Sequence, residues 1–555
     1  MRLGPLTMPG NMQACACLNK WFWLVFPKEE TMKKIVSVVL VLSLVLGTVF
    51  AAGVSEKKSE VAAQTKLTYW APLNPNISSV VQDFSQIEYF KELMKRTNTS
   101  IEFQHVSAAN DGVMTEGFNI LIASGNYPDI IEYKWIDYPG GPQAALDDKV
   151  IIPLNDVFAK YAPNITKFLN EHPDIAKMIS TDDGTYYCFP FLRGESYENN
   201  NLLFTEGWVW RTDLLSKAGI TRTPRTPDEL YTALKALQGI GVKIPLSLRK
   251  DHVSRVLAPG FDSFDDFYVE NGVVRNGLIE PARKEYLAYT AKLYREGLLD
   301  NDYLSIDKKS QAVKVLNSIC GATYAPGGSG IGTWLPAMQQ SDPSVHMVSA
   351  RPLSPSADRY SKFAKMSNIY SNSGPSAAIS SSSKNVEAAA KLLDYNFSEA
   401  GHLLVNFGIE GVTYTMVDGY PKYTDVIYKN ADGLTLSQAM AMYMRSSVNG
   451  PFIQDPRYLE QYYSIPELSE AINLWAQTDY GKYIMPPVTA TSEEASELAK
   501  IMNNVLTYAN EMESKFITGA ISINEFDGYV KQLKNFGIER AIAIKQANYD
   551  RYMAK

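Results

Sequence analysis

Cysteine and histidine are scarce in this chain. Its 555 residues include four Cys and five His, and two of the cysteines fall within the first 31 residues. Only Cys188 and Cys320 remain beyond that segment, which excludes a disulfide framework. The sequence is compatible with one bridge between them and equally with two buried thiols. No histidine falls in an H-E-x-x-H or comparable spacing, so we expect neither a metal nor a cofactor.

An excess of basic residues is also lacking. Lys and Arg total 53 against 60 Asp and Glu, which gives a net charge of -7. Nucleic-acid binding rests on basic patches that neutralise phosphates, so the diffuse negative balance argues against such a partner. A small acidic ligand stays compatible, because a few arginines in a cleft decide that locally.

Catalytic motifs are missing as well. There is no G-x-S-x-G, and the glycines of "GGSGIG" (327–332) have neither dinucleotide spacing nor the lysine of a P-loop. The acidic residues of 182–183 and 262–266 could serve as the acid and base of a glycosidase, but the sequence does not give the distance between their carboxyl groups. "DNDYLSID" (300–307) lacks the glycine of a calcium loop. We therefore predict a protein that is not an enzyme.

Long apolar runs are lacking except for one near the start. "MKKIVSVVLVLSLVLGTVFAAG" begins at Met32 and has the layout of a secretory signal, with lysines, an apolar stretch and small residues at its end. We predict a mis-called upstream extension over 1–31, a signal peptide over 32–51 and a flexible lead-in over 52–65. No cysteine follows the small residues, so a lipid anchor is not expected.

Aromatic residues, by contrast, are abundant. The chain has 33 Tyr, 22 Phe and 8 Trp. Sugar rings present apolar C–H faces to aromatic planes and hydroxyl groups to polar rims. An exported, tyrosine-rich and mildly acidic chain is therefore typical of a protein that faces carbohydrate.

Strand and helix patterns alternate in the first part of the folded chain. Strands are predicted at 66–73, 100–107 and 129–135, with helical patterns between them. This alternation indicates parallel strands in an α/β sheet, whose ligands lie beyond the carboxyl ends of the strands. Trp70 and Trp135 lie at two such ends. The last sixty residues are predicted to be helical.

Several segments together resemble a known family. They are "ASGNYPDII" (123–131), "WRTDLLSKAGITRTPRTPDEL" (210–230), "EGLLDNDY" (296–303), "KNVEAAAKLLDYNFSEAGHLLVNFGIEGVTYT" (384–415) and "ESKFITGAISINEFDGYVKQLKNFGIERAIAIKQANYDRY" (513–552). In this order they resemble the large extracellular solute-binding proteins (family 1) of ABC-type sugar importers, in the branch that includes oligosaccharide and alginate binders.

The resemblance implies a two-lobed α/β fold of the type II periplasmic-binding-protein class, with a ligand cleft between lobes that hinge crossings join. The first lobe would comprise 66–190 and 371–425, and the second 191–370 and 426–555. The expected function is non-catalytic capture of an oligosaccharide for the membrane permease of an ABC importer. The protein would be monomeric and exported, periplasmic or extracellular, either free or membrane-associated.

The candidate ligand-binding residues are aromatic and polar side chains near loop ends. Trp208 and Trp210 would face the same side of an extended segment, and Trp210 adjoins the family-like "RTD". Arg193 could hold a hydroxyl or a carboxylate. The full set is Trp70, Trp135, Arg193, Tyr197, Trp210, Trp334, Glu410 and Tyr414.

Two other functions stay open at this stage. The same fold could bind a non-sugar ligand such as a peptide or an amino acid. A secreted glycan-degrading enzyme is the other alternative, and the release of hydrolysis products from polysaccharides would favour it.

Overall fold

The computed structural model describes residues 64–108, 111–370, 374–463 and 465–555. The predicted upstream extension, signal peptide and nearly all of the lead-in lie outside these ranges. Within them, no helix is both long and apolar enough to cross a membrane. Cys188 and Cys320 are buried free thiols and form no bridge, so the second of the two cysteine alternatives holds.

Twelve strands form two four-stranded sheets and two hairpins in the described part of the chain. In chain order they are β1 Thr65–Leu73, β2 Thr99–Ser107, β3 Ile130–Tyr133, β4 Glu206–Arg211, β5 Ile244–Ser247, β6 Phe267–Glu270, β7 Val273–Asn276, β8 Cys320–Pro326, β9 Met347–Val348, β10 Ser376–Ile379, β11 Tyr414–Val417 and β12 Tyr420–Tyr423. The hairpins are β6 with β7 and β11 with β12.

Helices fill the connections and the C-terminal region. Up to β9 they are Pro75–Ser78, Glu88–Thr97, Asp111–Ser124, Gly141–Asp147, Asn155–Tyr161, Pro163–Glu171, Pro173–Met178, Thr212–Lys217, Pro227–Gly239, Lys250–Leu257, Pro281–Arg295, Lys308–Leu316 and Ile331–Gln339. Beyond β9 they are Val386–Tyr395, Glu399–Phe407, Asp425–Tyr428, Leu436–Tyr443, Pro456–Tyr462, Pro466–Trp475, Ser492–Thr518, Phe526–Asn535 and Ile538–Ala554.

The first sheet has the strand order β10-β3-β1-β2 and defines the first lobe. Strand β1 pairs in parallel with both β2 and β3, while β10 returns antiparallel to β3. All four residues of β3 and of β10 are buried, because helices cover both faces of a parallel sheet. The predicted alternation of strand and helix is confirmed here.

The second sheet has the order β5-β8-β4-β9 and defines the second lobe. Strands β5 and β8 are parallel, and β4 is antiparallel to its two neighbours. Trp208 and Trp210 of β4 face the same side, as predicted, and their rings stack at 5.5 Å. The predicted two-lobed α/β architecture is therefore present.

Three chain segments cross between the lobes side by side. In the described residues they comprise 190–205, 361–370 with 374–375, and 452–463 with 465, and we call them the first, second and third crossings. Leu192 pairs with Ile453, and the backbone N–H of Arg193 donates to the Ile369 carbonyl at 3.0 Å. Ser367 N–H donates to the Leu203 carbonyl at 2.9 Å. These hydrogen bonds tie the three crossings into one hinge.

The segment between β12 and the third crossing packs on the first lobe. Helix Leu436–Tyr443 packs against helices Pro75–Ser78 and Glu88–Thr97 of the first lobe. Just after it, the buried guanidinium of Arg445 pairs with Glu132 of β3 at 2.6 Å. A buried arginine needs a carboxylate partner, and this one lies in the first sheet, which holds residues 436–449 on that lobe.

The C-terminal helices pack on the second lobe and also reach the first. Helix Ser492–Thr518 packs along Pro281–Arg295. Near the end of the chain, Arg551 pairs with Asp182 of the first lobe at 2.5 Å, and the Thr489 hydroxyl donates to the same carboxylate at 2.9 Å. This charged contact is a second connection between the lobes beside the crossings.

Candidate functional site

The carboxyl ends of β5 and β8 lie at one edge of the second sheet, since the two strands are parallel. Helix Lys250–Leu257 follows β5, and the glycine-rich loop 327–330 follows β8. Such edges are where α/β sheets place their ligands. Two features occur here, a cavity beside the second crossing and a tyrosine cluster on the third.

The cavity has a volume of about 250 Å³, and we call it the inner cavity. Its walls come from helix Lys250–Leu257, the segment 258–266, residues 363–366 of the second crossing, and Tyr480. Because one wall belongs to a crossing, the shape of the cavity depends on the hinge.

Aromatic rings form part of the inner cavity. The ring of Phe264 stacks on Phe363 at 4.9 Å with an interplanar angle of 11°. Tyr480 lies 5.3 Å from Phe264. Phe264 is only half-buried, so one part of this stack faces open space and provides an apolar surface of the kind that sugar rings contact.

Charged groups of both signs complete the walls. Arg255 pairs with Glu206 at 2.8 Å, and Lys365 and Asp266 line the same space. Surrounding protein and the nearby Arg255 lower the pKa of Lys365. Partial removal from water, with the neighbouring Asp265, raises the pKa of Asp266. The cavity therefore offers donors and acceptors that gain from hydrogen bonds with hydroxyl groups.

The tyrosine cluster lies where the third crossing meets the second lobe. It consists of Tyr458, Tyr462 and Tyr463, and the Tyr458 hydroxyl accepts a hydrogen bond from Gln454 at 3.1 Å. A Cβ at Gly327 or Gly328 would lie 3.1 Å from Tyr463 or 2.7 Å from Tyr462. Glycine is thus required for this close approach, and the loop after β8 rests on the cluster.

Arg193 and Tyr197 lie on the first crossing. Arg193 contacts Gln454 at 3.4 Å and lies over the ring of Phe191, and burial lowers its pKa. The Tyr197 hydroxyl donates to Asn368 of the second crossing at 3.1 Å, and burial raises its pKa to about 12. Both residues link crossings to each other.

The four candidate tryptophans are buried in core packing. Trp70 and Trp334 are 5% exposed, and Trp135 and Trp210 are 1% exposed. The indole N–H of Trp135 donates to the Ser376 carbonyl at 3.0 Å, within the first sheet. The structure does not bring these side chains together around one space.

Glu410 and Tyr414 lie at the start of the hairpin β11–β12. Glu410 is exposed, whereas Tyr414 is buried and its ring lies 5.9 Å from Phe407. Burial, and to a lesser extent the Glu410 carboxylate, raises the pKa of Tyr414. Neither residue lines the inner cavity.

Sequence reasoning missed most residues of the inner cavity. Phe264, Asp265 and Asp266 belong to "SFDDF" (263–267), which attracted attention only as a source of acidic pairs. Its pair of acidic residues between two aromatic residues was an available signal. Lys365 and Tyr480 had none, because only contacts between distant parts of the chain bring them to this place. Across the described residues, no group of three His, Cys, Asp or Glu side chains could hold a metal ion.

The protein has two α/β lobes, a hinge of three crossings, and a cavity with aromatic and charged walls at that hinge. These features define the class of ligand-binding receptors that close around a solute. Residues 83–402 match the family of bacterial extracellular solute-binding proteins, which is more than half of the 555 residues. The chain belongs to this family.

Individual relatives agree over nearly the whole chain. The fructooligosaccharide ABC transporter substrate-binding protein FusA of Streptococcus pneumoniae is 23% identical over 530 residues, covering 90% of this chain and 91% of FusA. The structure of the alginate-binding protein AlgQ2 is 25% identical, with a TM-score of 0.69 over 88% of this chain and 98% of AlgQ2. A solute-binding protein of Bifidobacterium longum infantis shares the fold at 20% identity, with the same TM-score and coverage of 88% and 99%.

Proposed function

We propose that this protein is the capture subunit of an ABC importer and that its ligand is an oligosaccharide. The observation that carries the proposal is the inner cavity, in which an aromatic stack with the half-buried Phe264 and hydrogen-bonding groups lie beside the hinge. Family membership supports the capture role. The names of FusA and AlgQ2, a fructooligosaccharide binder and an alginate binder, support the substrate class.

Capture follows from differential binding to two conformations. The wall at 363–366 belongs to a crossing, so a ligand in the inner cavity contacts the hinge as well as the second lobe. A ligand that makes more contacts in the closed form shifts the population towards it by that extra affinity. The closed, loaded form is the one that a permease would receive.

The protein carries out no chemistry on its ligand under this proposal. It acts as a monomer outside the cytoplasm, and separate chains supply the permease and the ATPase. The tyrosine cluster and Arg193 serve as further contacts at the hinge, with Tyr197 beside them. The four tryptophans support the lobes that carry these contacts.

A thermal-shift screen of the purified exported protein tests the proposal. The panel contains neutral and acidic oligosaccharides, amino acids and short peptides, because specific binding to the native state raises the unfolding midpoint. We expect a rise with at least one saccharide, which chromatography then recovers unchanged. A rise with peptides or amino acids and with no saccharide would contradict the substrate class, and recovered hydrolysis products would contradict the non-catalytic role.

A further inference from the structure

A second and larger cavity adjoins the inner one. It has a volume of about 480 Å³ and lies between helix Lys250–Leu257, helix Pro281–Arg295 and the C-terminal half of helix Ser492–Thr518. We call it the outer cavity. Asp251, Ser254 and Asp265 line both cavities, so the two spaces are neighbours that share these side chains.

The two neighbouring cavities together define an elongated region rather than a pocket for one small molecule. The outer cavity alone falls within the range of about 300–1,000 Å³ that ligand sites occupy. The inner cavity begins at the second crossing, and the outer one extends to Asn510 and Ser514 on the long helix. A ligand that fills both must be a chain of several units.

The charges along this space balance. Four acidic side chains line the two cavities, Asp251, Asp265, Asp266 and Glu513, and so do four basic ones, Lys250, Arg255, Arg283 and Lys365. No stretch of it is dominated by basic groups. An acidic chain would therefore meet carboxylates at both ends of the space.

The guanidinium groups are already engaged. Arg283 forms a bidentate pair with Glu513 at 2.6 and 2.8 Å, and Arg255 holds Glu206. A ligand carboxylate that bound either guanidinium would have to break its pair and leave an acidic side chain without its partner, which is costly where the groups are partly buried. A hydroxyl group can instead accept from a paired guanidinium or donate to a carboxylate without breaking anything.

From this geometry we infer that the ligand is an uncharged, linear oligosaccharide that runs from the hinge through the inner cavity into the outer cavity. This inference rests on the proposed function and specifies its substrate class. Asp251, Ser254 and Asp265 contact the saccharide at the point where it passes from one cavity to the other. The added units in the outer cavity contribute affinity that a disaccharide cannot reach.

Isothermal titration of the purified exported protein tests the inference. The probes are linear gluco-, fructo-, galacto-, xylo- and manno-oligosaccharides of two to five units, with oligouronates of equal length. In the series that binds, we expect at least a tenfold gain in affinity from disaccharide to tetrasaccharide. Oligouronates should bind at least tenfold more weakly than neutral chains of the same length.

A variant that fills the outer cavity tests whether the gain in affinity with saccharide length arises there. Asn510 lines only the outer cavity and is exposed, so N510W should abolish the gain with length and leave disaccharide affinity within threefold. Asn504 is exposed on the same helix and lines neither cavity, so N504W is the matched control and should change nothing.

Three results overturn the inference while the proposed function stands. They are a tetrasaccharide no tighter than the disaccharide, oligouronates that bind more tightly than neutral chains, and an N510W variant with a normal melting midpoint that loses both lengths equally. The first two are measured on the unaltered protein and do not depend on whether a variant folds. Failure of every saccharide to bind contradicts the proposed function itself.

Discussion

The aromatic residues of the two lobes differ in what surrounds them. In the first lobe, Trp135, Phe118 and Tyr133 pack on one another, with the rings of Phe118 and Tyr133 stacked at 3.4 Å. At the hinge edge of the second lobe, Phe264 and Tyr480 share a cavity with Lys365 and Asp266. Aromatic side chains close into a core where their neighbours are apolar, and they line open space where charged groups keep water present.

The comparison makes a first prediction about Trp135. Replacement by Ala removes a fully buried ring and its hydrogen bond to Ser376, so we expect the free energy of unfolding to fall by about 3–5 kcal/mol. Urea denaturation measures this loss. Ile120 of the same lobe is 66% exposed, and I120A should change the stability by less than about 0.5 kcal/mol. A stable W135A protein that has lost ligand affinity would instead identify Trp135 as a binding residue.

The second prediction concerns the hinge and depends on pH. Burial alone would raise the pKa of Asp455, but hydrogen bonds from His402 and Arg457 hold it well below its ordinary value. The same carboxylate caps helix Pro456–Tyr462. A lowered folded-state pKa stabilises the protein above the unfolded pKa of about 3.9, and the stabilisation is lost as the pH falls below it.

We therefore expect D455N to lower the free energy of unfolding by about 2 kcal/mol at neutral pH. Denaturant unfolding as a function of pH measures the difference between the unaltered protein and the variant. The gap should narrow as the pH falls below about 4, where the carboxylate of the unfolded chain takes up its proton while the native carboxylate stays charged. An equal gap at all pH values would show that lost packing, and not charge, causes the change.

The third prediction concerns an aromatic residue that lines a cavity, in contrast to the buried Trp135. Phe264 is half-buried, and F264A should weaken ligand binding at least tenfold, which is about 1.4 kcal/mol, because a stacking surface is lost. The effect on stability should be much smaller than that of W135A. Titration and urea denaturation of both variants test the contrast. Unchanged affinity in a folded F264A protein would exclude the inner cavity as the ligand site.

The fourth and smallest effect concerns the loop after β8. A methyl group at Gly328 would lie 2.7 Å from the ring of Tyr462, so G328A should displace the tyrosine and weaken binding several-fold, by about 0.5–1 kcal/mol. Gly528 lies in helix Phe526–Asn535 with no atom near its position, and G528A is the matched control. That control should keep its affinity and gain about 0.5–1 kcal/mol of stability. Equal affinities of the two variants would show that the contact plays no part in binding.

Prediction from sequence succeeded for local secondary structure and failed for the burial of individual side chains. Strand β1 matched the expected 66–73 closely, since an alternating or apolar run specifies a strand by itself. The expected exposure of Trp135 at a strand end could not be checked from sequence, because its hydrogen-bond partner Ser376 lies 241 positions away. The packing of residues 436–449 on the first lobe could not be predicted for the same reason, since Arg445 and its partner Glu132 are 313 positions apart.

The residues of the candidate site also differ in whether the sequence predicted them. Arg193 and Tyr197 were predicted as ligand-binding residues, and the structure places both on the first crossing, in contact with the other two. Lys365 was not predicted, because nothing in its local sequence distinguishes it from a surface lysine.

By itself, the sequence determined the alternation of strands and helices, the scarcity of metal-binding and nucleophilic motifs, and the resemblance to solute-binding proteins. These properties depend on neighbouring residues and on composition, which a linear chain already contains. Only the tertiary structure decided which aromatic rings are buried, where the third crossing lies, and which charged groups meet Phe264 beside the hinge. Those properties depend on contacts between segments hundreds of residues apart, and chain folding alone creates such contacts.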